Sequence, residues 1–270
     1  FMNSPVSTFQ ILALNDAEAS ENRIHSDEVA EKYGFTSALV SGANVFAYMC
    51  HPLLRTYGED WLYRGIMDVV FLKPAYQDNL LTIHTEQLAS ETSERNHLTS
   101  AYNEQNVLLA KLESWLPEHL PPVSELAAMT GENRKEERVE IAWDLIEIDE
   151  PTPVYLWQPT EADNLEHVKA QRDQSPLFSE EHALIHPYYL MDACNKALKR
   201  LFIVRAWLHT GSRMTLRKPI RVGQLVDVHA IPIKKWERKG HQFIKLYIAM
   251  WIDQAVALEV EHTAIFRIAD

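Results

Sequence analysis

Cysteine is nearly absent from this sequence. Cys50 and Cys194 are the only two among 270 residues. Each falls among apolar residues at helical spacing, so they read as buried thiols, not as a disulfide or a metal pair. Long apolar runs are missing as well: LFIV (201–204) and LYIAMWI (246–252) fall far short of the ~18 residues a membrane-spanning helix requires. A basic excess is missing too. With 26 Lys and Arg against 38 Asp and Glu the net charge is −12, which repels a phosphate backbone, so nucleic acid is not an expected partner. There is no GxGxxG, no P-loop and no HExxH, and neither a metal nor another cofactor is expected. The opening FMNSPVSTF has neither the basic start nor the apolar stretch of a secretory signal, and Phe1 ahead of Met2 reads as a residue left by expression. A cytoplasmic protein is the expectation.

What is present is an ordinary globular composition, 46% hydrophobic and 24% charged, in a chain long enough for one large domain or two of about 130 residues. The chain also matches itself at an offset of 145: Ala38-Leu39-Val40 aligns with Ala183-Leu184-Ile185, Leu53 with Leu198, and Arg55 with Arg200. Without a gap the register continues through Lys73-Pro74 against Lys218-Pro219, Leu80 against Leu225, and His84 against His229. Such self-similarity predicts two copies of one structural unit.

Within each copy, apolar spacing predicts a central helix, over 43–57 and again over 188–204. Segments rich in β-formers follow at 67–86 and 214–233, with turns at 77–79 and 222–224, and further strands at 97–115 and 242–267. One strand is expected ahead of each helix, TFQILAL (8–14) and RVEIAWDLI (138–146). Pro117, Pro121, Pro122 and the charged stretch 131–138 mark a linker. The expected class is α+β, with units at 1–118 and 137–270 joined by 119–136.

This order of elements resembles the hot dog, in which an antiparallel sheet wraps a central helix, here as a tandem double hot dog; a homodimer of such chains is a further expectation. Residues 22–42, NRIHSDEVAEKYGFTSALVSG, resemble the motif of MaoC-like, (R)-specific enoyl-CoA hydratases at Asn22, Ile24, His25, Asp27, Ala30, Gly34, Phe35 and Gly42. The resemblance implies an acyl-thioester hydratase or dehydratase in which His25 exchanges protons and the Gly42 N–H binds the thioester carbonyl. It departs from the pattern where the family has a catalytic aspartate and a proline: Ser20 and Arg23 stand there. A serine is not a comparable base near neutral pH, and Glu21 is the only adjacent carboxylate.

Local chemistry supports His25 independently. Ser26 as N-cap, Asp27 and Glu28 in a first turn and Gly34 as a stop predict a short helix over 27–33. His25 then sits at its positive end, which favours the neutral imidazole; a histidine that merely shapes the loop is the alternative. In the second copy Pro187 replaces Gly42 and Ala170 replaces His25, and proline has no N–H to offer. Chemistry is therefore expected in the first half, with the second supplying walls. The island Lys234, Lys235, Arg238 and Lys239 is either a solvated hairpin tip or a site for the phosphates of a CoA-like ligand. Two other functions stay open: a hot-dog thioesterase using Asp192, which an ion pair with Lys196 would equally explain, and a non-catalytic binder of acyl or other small apolar groups.

Overall fold

The computed structural model describes residues 7–89 and 95–269, so Phe1 and the start of the FMNSPVSTF segment lie outside the described residues. The strands are β1 (Ser7–Leu12), β2 (Ile66–Phe71), β3 (Leu80–Gln87), β4 (Asn96–Tyr102), β5 (Leu108–Trp115), β6 (Val139–Glu140), β7 (Tyr155–Trp157), β8 (Phe202–Ile203), β9 (Leu208–Leu216), β10 (Val226–Arg238), β11 (His241–Ile252) and β12 (Ala255–Arg267). The helices are α1 (Asp27–Lys32), α2 (Gly42–Tyr57), α3 (Glu59–Arg64), α4 (Glu161–Ala170) and α5 (Pro187–Asn195). Ten strands form one sheet in the order β1-β3-β4-β5-β2-β9-β12-β11-β10-β7. Its two halves meet where β2 pairs antiparallel with β9, Val69 opposite Ser212 and Val70 opposite Gly211.

Helix α2 starts at Ser41, whose hydroxyl accepts from the N–H groups of Ala43 and Asn44, and ends at Gly58, which takes φ 57° and returns its N–H to the Leu54 carbonyl at 2.7 Å. Nearly every side chain between is buried, because the sheet covers one flank and α5 packs on another. One cluster of buried apolar side chains runs through both halves, from Phe46, Met49 and Leu53 of α2 to Met191 and Cys194 of α5. Cys50 and Cys194 are free and buried. A buried polar contact joins the halves: Gln171 donates to the Asn44 side-chain oxygen at 2.7 Å.

Local interactions recur at the 145-residue spacing. Leu39 bridges Tyr76 as Leu184 bridges Arg221; the Val40 N–H reaches the Ala75 carbonyl as Ile185 reaches Ile220. The Tyr76 N–H is accepted by the Asn79 side chain, the Arg221 N–H by that of Gln224.

Three expectations need correction. Residues 138–146 do not form the leading strand of the second half; they hold only β6, which pairs with β8, and a 3₁₀ turn at Trp143–Leu145. The partner of β10 is β7, which lies where the 145 spacing carries 8–14. The second central helix does not reach 204. After Asn195 the chain tightens into three-residue turns, Lys199 N–H to Lys196 and Leu201 N–H to Leu198, and the Asn195 side chain accepts from the Trp207 indole at 3.3 Å instead of supporting another helical turn. Ser26 does precede α1, but its hydroxyl donates backwards to the Arg23 carbonyl and does not cap the helix.

The chain between β5 and β7 crosses the far face of the second half. There Ala127, Leu126 and Met129 pack on Ile231, Tyr247 and Ala249, while Leu246, Ile248 and Met250 of the same strand face the main core. Both faces of β11 are thus covered, which accounts for its unbroken apolar run LYIAMWI.

The seam itself tolerates no side chain at Gly211, where an added Cβ would stand 2.8 Å from the Val69 carbonyl oxygen. Gly211→Ala is expected to destabilise the protein by about 1–3 kcal/mol, as overpacking does. Urea unfolding of the variant measures this, and an unchanged midpoint would mean the seam yields.

Candidate active site

His25 lies in a 3₁₀ turn at Arg23–His25, just ahead of α1, and is buried. Its Nδ1 is 2.7 Å from the Leu39 carbonyl oxygen. A carbonyl only accepts, so Nδ1 carries the proton and Nε2 presents its lone pair. Burial pushes the imidazole below its ordinary pKa, the Leu39 carbonyl and the charge of Asp192 opposing more weakly, and the ring is neutral at neutral pH.

Asn22 sets this ring's surroundings. Its side-chain oxygen accepts from the Trp207 N–H and its amide nitrogen donates to the Trp207 carbonyl, both at 2.9 Å. That clasp ties the first half to the second and fixes which end of the amide is nitrogen, and the same nitrogen donates to the His25 Nε2 lone pair at 3.3 Å. Asn22 is thus a positioning residue at the junction of the two halves.

Gly42 is the first residue of α2, where N–H groups have no intrahelical partner and the helix presents its positive end. Gly42 and His25 line one cavity of about 230 Å³, with Val45, Phe71, Lys73 and Pro74 from the first half and Trp207, His209 and Ile265 from the second. A second, more polar chamber of about 420 Å³ contains Asp16, Tyr188, Asp192 and Lys196. The chambers share Asn22, His25, Ser41, Asn195 and Trp207, so His25 stands at the waist between them.

Several expected residues lie elsewhere. Glu21 lines the polar chamber but is ion-paired to Arg138 at 2.6 Å; burial works against its carboxylate, yet Arg138 outweighs this and holds the pKa below the usual range. Ser20 donates to the Asn22 carbonyl. Asp192 is bonded by Lys196 at 2.6 Å. None of Lys234, Lys235, Arg238 and Lys239 is among the lining residues of the cavity. The Lys235 ammonium is taken by the carbonyls of Trp143 and Ile146 at 2.7 and 3.0 Å, and Lys239 and Gly240 form the hairpin tip at positive φ. Lys73 is the cation that does line the cavity. Sequence reasoning missed Trp207 and His209 because they belong to the wall-forming half, and only the β2–β9 pairing brings them to Gly42.

The corresponding place in the second half is closed. Counting 145 residues on from Val40, Val45, Phe71, Lys73, Pro74 and Ala75 gives Ile185, Leu190, Leu216, Lys218, Pro219 and Ile220. These residues line a space of only about 10 Å³. Ile for Val, Leu for Val and Ile for Ala add bulk on the same scaffold, and Pro187 removes the donor at the head of α5.

No family model matches the chain, and no curated protein sequence does. Solved structures do. A MaoC domain protein from Chloroflexus aurantiacus, assigned as a dehydratase, shares 13% identity at a TM-score of 0.63, over 97% of this chain and 95% of that one. A Mycobacterium tuberculosis protein described as a double hot dog aligns at TM-score 0.61 and 9% identity, over 97% and 96%. A Lactobacillus plantarum protein assigned as an oleoyl thioesterase aligns at 0.57 and 12%, over 100% and 98%. The chain therefore has the α+β double hot-dog fold.

Two further rings behind the cavity bear on acid stability. Burial pushes His209 down to about 3 and holds His262 well below its ordinary value. The unfolded chain protonates each near pH 6.5, whereas the folded chain does not, so their contribution is complete above about pH 6.5 and is lost as pH falls below it, for His209 down to about 3. The loss approaches about 1.4 kcal/mol per pH unit for each such histidine. Urea midpoints at pH 7.5, 6 and 5 should fall in that order, and a flat series contradicts the sealed neutral rings.

Proposed function

We propose that the chain is an acyl-thioester hydratase or dehydratase, acting on a CoA or carrier-protein thioester, with His25 as its acid/base residue. The observation that carries this reading is the unprotonated Nε2 of a neutral His25, touched only by a long 3.3 Å bond from Asn22, in the same cavity as Gly42. In hydration, Nε2 takes a proton from water as the water oxygen bonds to the β-carbon of an enoyl thioester. The π-electron pair moves toward the carbonyl, and the enolate oxygen is held by the Gly42 N–H at the head of α2. The α-carbon then takes the proton from Nε2, restoring neutral His25, and dehydration is the reverse. The Leu39 carbonyl, bound to Nδ1–H, supports the transient imidazolium. The apolar chamber accepts a short acyl chain or the thioester arm, and Lys73 at its wall is the cation placed to meet an anionic group.

The two-unit division at 1–118 and 137–270, with 119–136 as linker, belongs to this reading: one copy keeps the site and the other, diverged, closes it. A second reading, a binder without catalysis, is favoured by one observation. Among the described residues no carboxylate is hydrogen-bonded to His25, and Glu21 is held by Arg138. The thioesterase reading draws on Asp192, which faces the polar chamber beside His25.

His25→Ala in folded protein is expected to lower hydration of short 2-enoyl-CoA substrates by about 10²–10⁴-fold. Wild-type protein that binds such thioesters without turning them over supports the binder, and release of free thiol supports the thioesterase. Gly42→Pro is a sharper test. Ser41 already has φ −59° and ψ 136°, matching His186 ahead of Pro187 at φ −58° and ψ 137°, so proline fits the backbone and removes the N–H, its Cβ meeting His209 and Phe71 at about 3.4 Å. Its thermal midpoint is expected to stay close to wild type while kcat falls about 10²–10³-fold; full activity would exclude Gly42 as the carbonyl donor.

A further inference from the structure

His209 lies at the start of β9, in the half that was expected to supply only walls, and the seam carries it to the head of α2. A methyl group placed on Gly42 would stand 3.4 Å from His209 Nδ1. That nitrogen is buried without a hydrogen-bond partner, although its ring belongs to the cavity lining. The other ring nitrogen is engaged: Nε2 lies 2.8 Å from Ser212 Oγ, and Ser212 Oγ lies 2.7 Å from His262 Nδ1. The two imidazoles stack at 4.2 Å.

We infer that His209 is a second hydrogen-bond donor to the thioester carbonyl, through Nδ1, and that Ser212 and His262 position it by deciding which nitrogen carries the proton. The role rests on the thioester reading of the cavity. The proton assignment does not.

With the Ser212 O–H donating along the chain, the three groups share their protons in one of two ways. The far end of the chain is His262 Nε2, buried and without a partner. His209 Nδ1 and His262 Nε2 are both orphaned, and one of them must carry an N–H; His209 lines the cavity, where a ligand can accept from it, and His262 does not, so His262 Nε2 is bare and Nδ1 holds the proton. His262 Nδ1–H then donates to Ser212 Oγ, and Ser212 O–H donates to His209 Nε2. His209 must carry its proton on Nδ1, facing Gly42. Burial holds both rings neutral, so His209 donates a hydrogen bond and does not transfer a proton. The Phe71 ring packs against His209, 4.7 Å away centre to centre, and lines the same cavity. With the Gly42 N–H on one side and His209 on the other, an enolate oxygen would meet two converging donors.

Nitrogen-15 NMR of the histidine rings in the full chain tests the assignment without substrate: His209 is expected as the Nδ1–H tautomer, and Ser212→Ala should let the other tautomer appear. An Nε2–H signal at His209 in the wild type overturns the inference and leaves the proposed function standing. In kinetics with a short 2-enoyl-CoA, His209→Leu should lower kcat about 10²–10³-fold with KM changed only a few-fold. His209→Asn, whose amide nitrogen takes the place of Nδ1, should recover most of the loss. Equal kcat in wild type and His209→Leu overturns the inference, as does loss without recovery by asparagine. Wild-type protein that binds no acyl thioester overturns the proposed function, and with it the role of His209.

Discussion

The antiparallel pairing of β2 with β9 is the contact from which the rest of the architecture follows. Each half alone would present an open sheet edge with unpaired N–H and C=O groups; joining the edges gives a single ten-stranded sheet and lets α2 and α5 share one apolar core. The same junction assembles the site. Asn22 reaches across to clasp the Trp207 backbone, and β9 delivers His209 beside Gly42. A glycine at 211 is required there because the Val69 carbonyl leaves no room for a Cβ.

The approximate symmetry makes the difference between the halves informative. At equivalent places one scaffold encloses about 230 Å³ and the other about 10 Å³. Modest additions of volume in a close-packed interior suffice to close a cavity, and a single proline at the helix start removes the donor that an oxyanion would need. The helix itself is unaffected, since the first helical position leaves its N–H unpaired in any case.

The open site is built on neutral imidazoles held by burial. His25 keeps Nε2 unprotonated because its proton on Nδ1 is spent on a backbone carbonyl, and His209 and His262 are held neutral by burial. Where the resembled pattern uses a carboxylate, Ser20 is turned to the Asn22 carbonyl, and the nearest alternative, Glu21, is neutralised by Arg138. Proton exchange, on the proposed reading, therefore passes through one ring, with charge on the substrate oxygen met by neutral donors.

Much of this was legible in one dimension. Periodicity and the 145-residue register are local or additive properties of a chain, so the α+β class, the helix over 43–57, the strands after it and the contrast of Gly42 with Pro187 could be read directly. His25 was legible because its partners, Asn22 and Leu39, are close in sequence. The false leading strand at 138–146 shows the limit: its alternation of apolar residues was real, but the β10 edge was taken by Tyr155–Trp157 and the segment was left to pair with β8. The basic hairpin read as a ligand site because charge density is visible in sequence, whereas the capture of Lys235 by two carbonyls about 90 residues away is not. Sequence alone showed the contrast of Asn22, His25 and Gly42 in one half with Ala170 and Pro187 in the other. Only the tertiary structure decided that the other half lines the same cavity, because the pairing of β2 with β9 converts residues some 167 positions apart, Gly42 and His209, into neighbours.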